Sequence, residues 1–148
     1  LDAEGAEIED EAEVVRAMGR ALTAFRLHPR TPGLTDHARL AATMPPSERS
    51  YKITWRAAMP DHLWREGASE PRSDGIGVSV VIDRREVVLM REELTPKLLR
   101  QTRRWVVMSA EVPASTSATV IELRVDSGPS SNVNSDWCLI TPPVVQEP

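Results

Sequence analysis

The stretch Tyr51-Lys52-Ile53-Thr54-Trp55-Arg56-Ala57-Ala58 decides the fold class. Tyr51, Ile53, Trp55 and Ala57 alternate with Lys52, Thr54, Arg56 and Ala58. Successive side chains of a strand point to opposite faces, so this period of two describes a strand with one buried and one wet face. Trp55, set among polar neighbours, belongs to the buried face. The same period recurs outward along the chain. Ile76, Val78, Val80 and Ile82 alternate with Gly77, Ser79 and Val81, and Thr119, Ile121, Leu123 and Val125 with Val120, Glu122 and Arg124. Val87 to Met90, Trp105 to Val112 and Trp137 to Thr141 read as further strands, and Ala38 to Met44 as a less regular one. Pro45-Pro46-Ser47, Pro71-Arg72-Ser73-Asp74-Gly75 and Asp126-Ser127-Gly128-Pro129 supply turn chemistry between them. Pro96 to Arg104 reads as a crossing loop or short helix. Some seven short strands punctuated this way predict an antiparallel sandwich or jelly roll.

The first 27 residues follow another rhythm. Ile8, Ala12, Val15, Met18, Leu22 and Phe25 are spaced 4-3-3-4-3, which draws one apolar stripe on a helix. Acids crowd its start and Arg16, Arg20 and Arg26 its end, as a helix dipole favours. His28-Pro29 and Pro32-Gly33 would stop it. The stripe either packs on the chain's own sandwich or docks on a partner subunit.

Charge is divided in the same way. The 148 residues carry 18 Lys+Arg and 22 Asp+Glu, a formal net charge of −4. Seven of the acids fall within residues 1–13, which hold no base, so the rest of the chain is slightly basic. This balance argues against a dedicated nucleic-acid binder. No apolar run approaches the roughly 18 residues of a membrane span. The chain begins at Leu1, which leaves open an upstream segment. Cys138 is the one cysteine, so no internal disulfide forms, and it reads as a small buried hydrophobe. The tail Thr141-Pro142-Pro143-Val144-Val145-Gln146-Glu147-Pro148 is proline-rich, and an extended strap is expected there.

Four stretches then form one pattern. The first is His28-Pro29, a strand, Pro45-Pro46 and Tyr51 to Met59. The second is Pro60-Asp61-His62-Leu63-Trp64, a loop, and Ser73-Asp74-Gly75-Ile76-Gly77-Val78-Ser79-Val80. The third is Arg104 to Val112 followed by Thr119 to Val125, and the fourth Asp126-Ser127-Gly128-Pro129 through Asn132 to Asp136-Trp137. Over about residues 28–141 this order resembles the jelly-roll carbohydrate-binding-module-like domains of bacterial cell-envelope proteins. The resemblance implies a β-sandwich that binds glycans, with aromatic faces on sugar rings and polar groups on the hydroxyls. Trp64 and Trp137, near loops, read as packing at the sandwich edge, with stacking on a sugar or a partner as the alternative that makes them the candidate ligand-stacking residues.

Other constellations were weighed for chemistry. Asp61-His62 with His28 and His37 lacks metal-ligand spacing. Asp126, Asn132, Asn134 and Asp136 are oxygen ligands of the kind calcium takes, and equally what turns need. No metal and no cofactor are expected. No nucleophile elbow or Cys–His pair is present, so no enzyme is expected. Arg100, Arg103 and Arg104 form a basic cluster that either pairs with the acidic head or receives an acidic partner.

The sequence therefore predicts a mainly β chain in three parts: an acidic amphipathic helix at 1–27, an antiparallel jelly-roll β-sandwich at 28–141, and a C-terminal tail at 142–148. The expected role is a non-catalytic accessory subunit on the extracytoplasmic, periplasmic face of a larger membrane-bound bacterial complex, photosynthetic, energy-converting or an envelope glycosyltransferase. Its partner-binding residues would be Ile8, Val15, Met18, Leu22, Phe25, Arg100, Arg103 and Arg104. The alternative is a carbohydrate-binding module for a cell-envelope glycan. No nucleic acid and no membrane span of its own are expected.

Overall fold

The computed structural model describes residues 2–4, 6–8, 13–17, 19–29, 38–64, 75–82, 87–128 and 137–146. In chain order their elements are β1 (Asp2–Glu4), β2 (Ala6–Ile8), β3 (Glu13–Ala17), β4 (Arg20–Pro29), β5 (Ala38–Met44), β6 (Tyr51–Ala58), α1 (Asp61–Trp64), β7 (Ile76–Ile82), β8 (Val87–Leu94), α2 (Pro96–Thr102), β9 (Val106–Val112), β10 (Thr119–Asp126), β11 (Cys138–Ile140) and β12 (Val144–Gln146). One sheet has the order β1-β5-β10-β7-β8. The other has β12-β6-β11-β4-β2, with β3 added beside β4 and β9 beside β6. The pairings are antiparallel.

The core lies between the sheets and is built by the alternation read from the sequence. Ile53, Trp55 and Ala57 of β6 are buried, and Met108 and Ala110 of β9 stand opposite Trp55 and Ile53. From the facing sheet come Leu40, Val78, Val80, Ile121, Leu123 and Val125. Each such side chain contributes about 1.5–3 kcal/mol on leaving water, before the entropy of ordering is set against it. Cys138 joins this core, fully buried, and burial pushes its thiol far above the ordinary range. Only the thiolate reacts, so iodoacetamide should label Cys138 about a hundredfold more slowly in the folded chain than in urea. Mass spectrometry of both reactions over time checks this.

The N-terminal helix is corrected. Residues 13–17 and 20–29 are strands, not helix. Ala17 stands opposite Arg20, so two residues join β3 to β4, and Gly19 turns with φ at 73°. A side chain would be strained there and glycine is not. Val14, Val15, Thr23 and Phe25 suit a pleated surface better than a helix, since β-branched and aromatic side chains lose rotamer freedom in a helix. Distant partners then settle the matter: Leu27 pairs with Cys138 and Phe25 with Ile140. The single helical stripe disappears, because a strand repeats every two residues and not every 3.6. The expected boundary at 27/28 runs through β4, and the tail is held against the body as a strand, with Val144 to Gln146 on β6.

The crossing segment is a helix. Pro96 occupies its first turn, where its missing N–H costs nothing, and the Thr95 hydroxyl accepts from Leu98 N–H at 3.2 Å. Leu99 buries its side chain, and the Arg103 N–H donates to the Leu99 carbonyl at 2.8 Å. Trp105, directly after it, donates its indole N–H to the Ala17 carbonyl at 3.0 Å, with the Arg20 carbonyl at 3.4 Å. The tip of the β3–β4 hairpin is thereby fixed against the start of β9.

Candidate functional site

Three polar surfaces stand on this frame. The first is the outer face of the β1-β5-β10-β7-β8 sheet. Period two on β10 sends Glu122, Arg124 and Asp126 outward, away from Leu123 and Val125. Register places Arg39 beside Arg124 on β5 and Ser79 beside it on β7, with Arg91 beyond on β8. Glu122, its side chain 4% exposed, accepts from Arg124 Nε at 2.6 Å and Arg39 Nη1 at 3.1 Å. Arg91 reaches over β7 to Asp126 Oδ1, 3.2 Å away. It crosses above Gly77, where a Cβ would collide with both the Arg91 guanidinium and the Asp126 carboxylate. That near approach is what requires glycine at 77. Asp126 also accepts from Gly128 N–H at 2.8 Å, closing the turn after β10. Both carboxylates are thus engaged by guanidinium groups, as buried charges must be.

The second surface is a cleft of about 420 Å³ at one end of the sandwich. Its walls are the ends of β5 and β7, the start of β10, and the 113–118 segment that carries the chain from β9 to β10. Reciprocal hydrogen bonds between Ser47 and Ser115, 2.9 and 3.0 Å, hold that segment in place. The Ser115 hydroxyl accepts from Ser117 N–H at 3.2 Å, which sets the tip. Thr43, Ser115, Ser117 and Thr119 are its hydroxyl-bearing residues, and Ile82 and Val120 are the larger apolar ones. Thr43 stands opposite Val120 and Thr119 opposite Met44, and paired residues share a face, so Thr43 and Val120 lie on one face of the sheet end and Thr119 on the other. No charged side chain lines it among the described residues.

The third is a wider hollow of about 540 Å³ over β6, β9 and β12, lined by Lys52, Ser109, Glu111 and Gln146. Lys52 faces Glu111 across the strands. Ionic groups there keep their hydration, so a neutral ligand would displace water at greater cost than in the hydroxyl-lined cleft.

The expected site residues are scattered. Trp64 follows the packing reading: at 6% exposure it is part of the core. Trp137 is half-buried and packs on His28, ring centroids 4.8 Å apart and tilted by 42°. Neither lines the cleft. Leu22 and Phe25 are half-buried against the sandwich's own core, and Ile8 pairs through its backbone with Leu27. Val15 pairs with Leu22, and Met18 lies outside the described residues. The strap that was to dock on a partner is thus hydrogen-bonded into the sheet, which removes the main argument for an accessory subunit. Asn132, Asn134 and Asp136 lie outside the described residues. Arg100 is half-buried in the last turn of α2, with Arg103 and Arg104 exposed beyond it. The hydroxyl-bearing residues of the cleft were missed. Their signal is the composition of Pro113-Ala114-Ser115-Thr116-Ser117-Ala118-Thr119, three apolar residues among four hydroxyls.

An adhesin domain (K1) of Lys-gingipain from Porphyromonas gingivalis W83 superposes with a TM-score of 0.56 at 12% identity, over 97% of this chain and 91% of that one. The CBM22-1–GH10 modules of xylanase 10B from Clostridium thermocellum, solved with xylohexaose, give 0.55 at 11% identity over 97% of this chain. This chain spans 24% of that structure's length. The carbohydrate-binding module CBM6cm-2 of Cellvibrio mixtus lichenase 5A, solved with cellotriose, gives 0.51 at 14% identity, over 99% and 90% of the two chains. The fold is a carbohydrate-binding-module-like jelly roll. The expected jelly-roll β-sandwich is borne out, with the helical N-terminus replaced by strands. No protein-family description matches the sequence, and no curated protein does. No helix among the described residues is long and apolar enough to cross a membrane.

Proposed function

We propose that this jelly roll is a non-catalytic glycan-binding module that acts outside the cytoplasm and takes a neutral sugar chain in the end cleft. The observation that carries the reading is the cleft's composition: four hydroxyl-bearing residues beside apolar ones, with no charged side chain among the described residues, in about 420 Å³. A sugar offers hydroxyls around its rim and C–H groups on its faces, and this lining matches both. Its volume falls in the ordinary range for small-ligand sites. A cleft walled by a connecting segment on a rigid sandwich is a usual place for recognition. The sugar-bound state of two structures sharing the fold supports the same reading. The buried carboxylates Glu122 and Asp126 are held by arginines, which supports binding rather than acid–base chemistry.

With aliphatic groups in place of an aromatic platform, affinity should be modest, with Kd about 1 mM. The test is a titration of the full chain with xylohexaose and cellohexaose by calorimetry, repeated on Thr43→Val/Thr119→Val. That change removes two hydroxyls at nearly constant volume. Each lost hydrogen bond is worth about 1 kcal/mol, so binding should weaken about tenfold or more. Unchanged affinity in the double variant would remove the cleft from the account.

A further inference from the structure

A second charged feature lies outside the cleft. Lys97 and Arg100 stand three residues apart on α2 and so share one face, with Arg103 and Arg104 following its last turn. The Trp105 indole, bonded to the Ala17 carbonyl and 3.4 Å from that of Arg20, brings the hairpin tip and Arg20 to the same corner. Arg20, Lys97, Arg103 and Arg104 are exposed. None of these cations, Arg100 included, forms an ion pair or side-chain hydrogen bond with a described residue. The Arg100 Nε–H is buried without an acceptor. Of the head's described strands on β4, β2 runs along the end away from this corner, with Glu7 opposite His28, and β3 carries Glu13 opposite Ala24. The arginines of the sheet face are treated differently, since Arg39, Arg91 and Arg124 each have a carboxylate.

We propose that this corner binds an anionic glycan, one bearing carboxylate or sulfate groups along its chain. The proposal rests on the glycan-binding reading and adds the class of sugar and a second contact point. Guanidinium groups form forked hydrogen bonds to oxyanions, and four arginines at one corner can take several at once. Single-stranded nucleic acid is the less favoured ligand. It needs aromatic faces for its bases, and Trp105, the aromatic residue of this corner, is buried.

The test uses the full chain and three anionic probes at equal total charge concentration: polygalacturonate, dextran sulfate and a single-stranded oligonucleotide, with neutral dextran as control. Affinity electrophoresis reads binding at about 50 and 200 mM salt. Retardation by polygalacturonate, by dextran sulfate or by both supports the proposal and tells carboxylate from sulfate. Binding should fall several-fold between the two salts, as charge-driven association does. The variant Arg20→Glu/Lys97→Glu/Arg104→Glu changes exposed residues alone and should weaken that binding at least about tenfold. Its affinity for xylohexaose should stay unchanged, so the two sites fail independently. No retardation of the parent chain by either anionic glycan overturns the proposal. So does undiminished binding by the triple variant, or tighter binding of the oligonucleotide than of both glycans.

Discussion

Trp55→Ala should lower stability by about 3–5 kcal/mol, the range for removing a buried tryptophan. Trp55 is 2% exposed and sits at the middle of β6, between β9 and the β11–β12 side of its sheet. A domain of this size has a total stability of about 5–15 kcal/mol, so the loss is a large share. Each kcal/mol moves the midpoint by about 2–4 °C, and thermal unfolding followed by circular dichroism should show a drop of roughly 10 °C or more. Trp55→Phe should cost far less. The Trp55 indole N–H is buried without a partner, and phenylalanine removes that unpaired donor while keeping most of the ring volume. Equal losses in the two variants would mean that ring volume is not what Trp55 supplies.

The second large effect concerns charge. Arg124→Met should cost about 2–4 kcal/mol, because it leaves the buried Glu122 carboxylate with Arg39 as its remaining described cation. The double variant Glu122→Met/Arg124→Met should recover most of that loss, since two apolar groups of similar size replace a pair that had to be desolvated. Chemical denaturation of the parent, each single variant and the double variant gives the coupling between the two sites. A double variant as unstable as the sum of the singles would show that the pair does not act as a unit.

Much of this fold is legible in local sequence. The strands β6, β9 and β10 show period two because one face meets the core and the other meets water or charge. The Thr95-Pro96 pair announces α2 before any contact is known. β4 was not legible. Its segment from Leu22 to Leu27 satisfies a helical stripe as well as a pleat, and what selects the pleat is pairing with β11, more than 110 residues away. The acids before it reinforced the wrong reading, because acids at a helix start and acids on short edge strands look alike in one dimension. The cleft was hidden for a related reason. Thr43, Ile82 and residues 113–120 come from three separate segments, and strand order brings them together. The ion pairs show both cases. Glu122 and Arg124 are visible as alternation on one strand, but Arg91 reaches Asp126 through a glycine on the strand between them.

The proposed occupant of the end cleft is a sugar chain. An amide chemical-shift titration of the isotopically labelled full chain with xylohexaose and cellohexaose tests it most directly. One of these sugars should move the resonances of Thr43, Ile82, Ser115, Ser117, Thr119 and Val120 saturably at about millimolar concentration. The signals of Lys52, Ser109, Glu111 and Gln146 over the wider hollow should stay in place. Shifts concentrated on that hollow, or no saturable shift with either sugar, would contradict it.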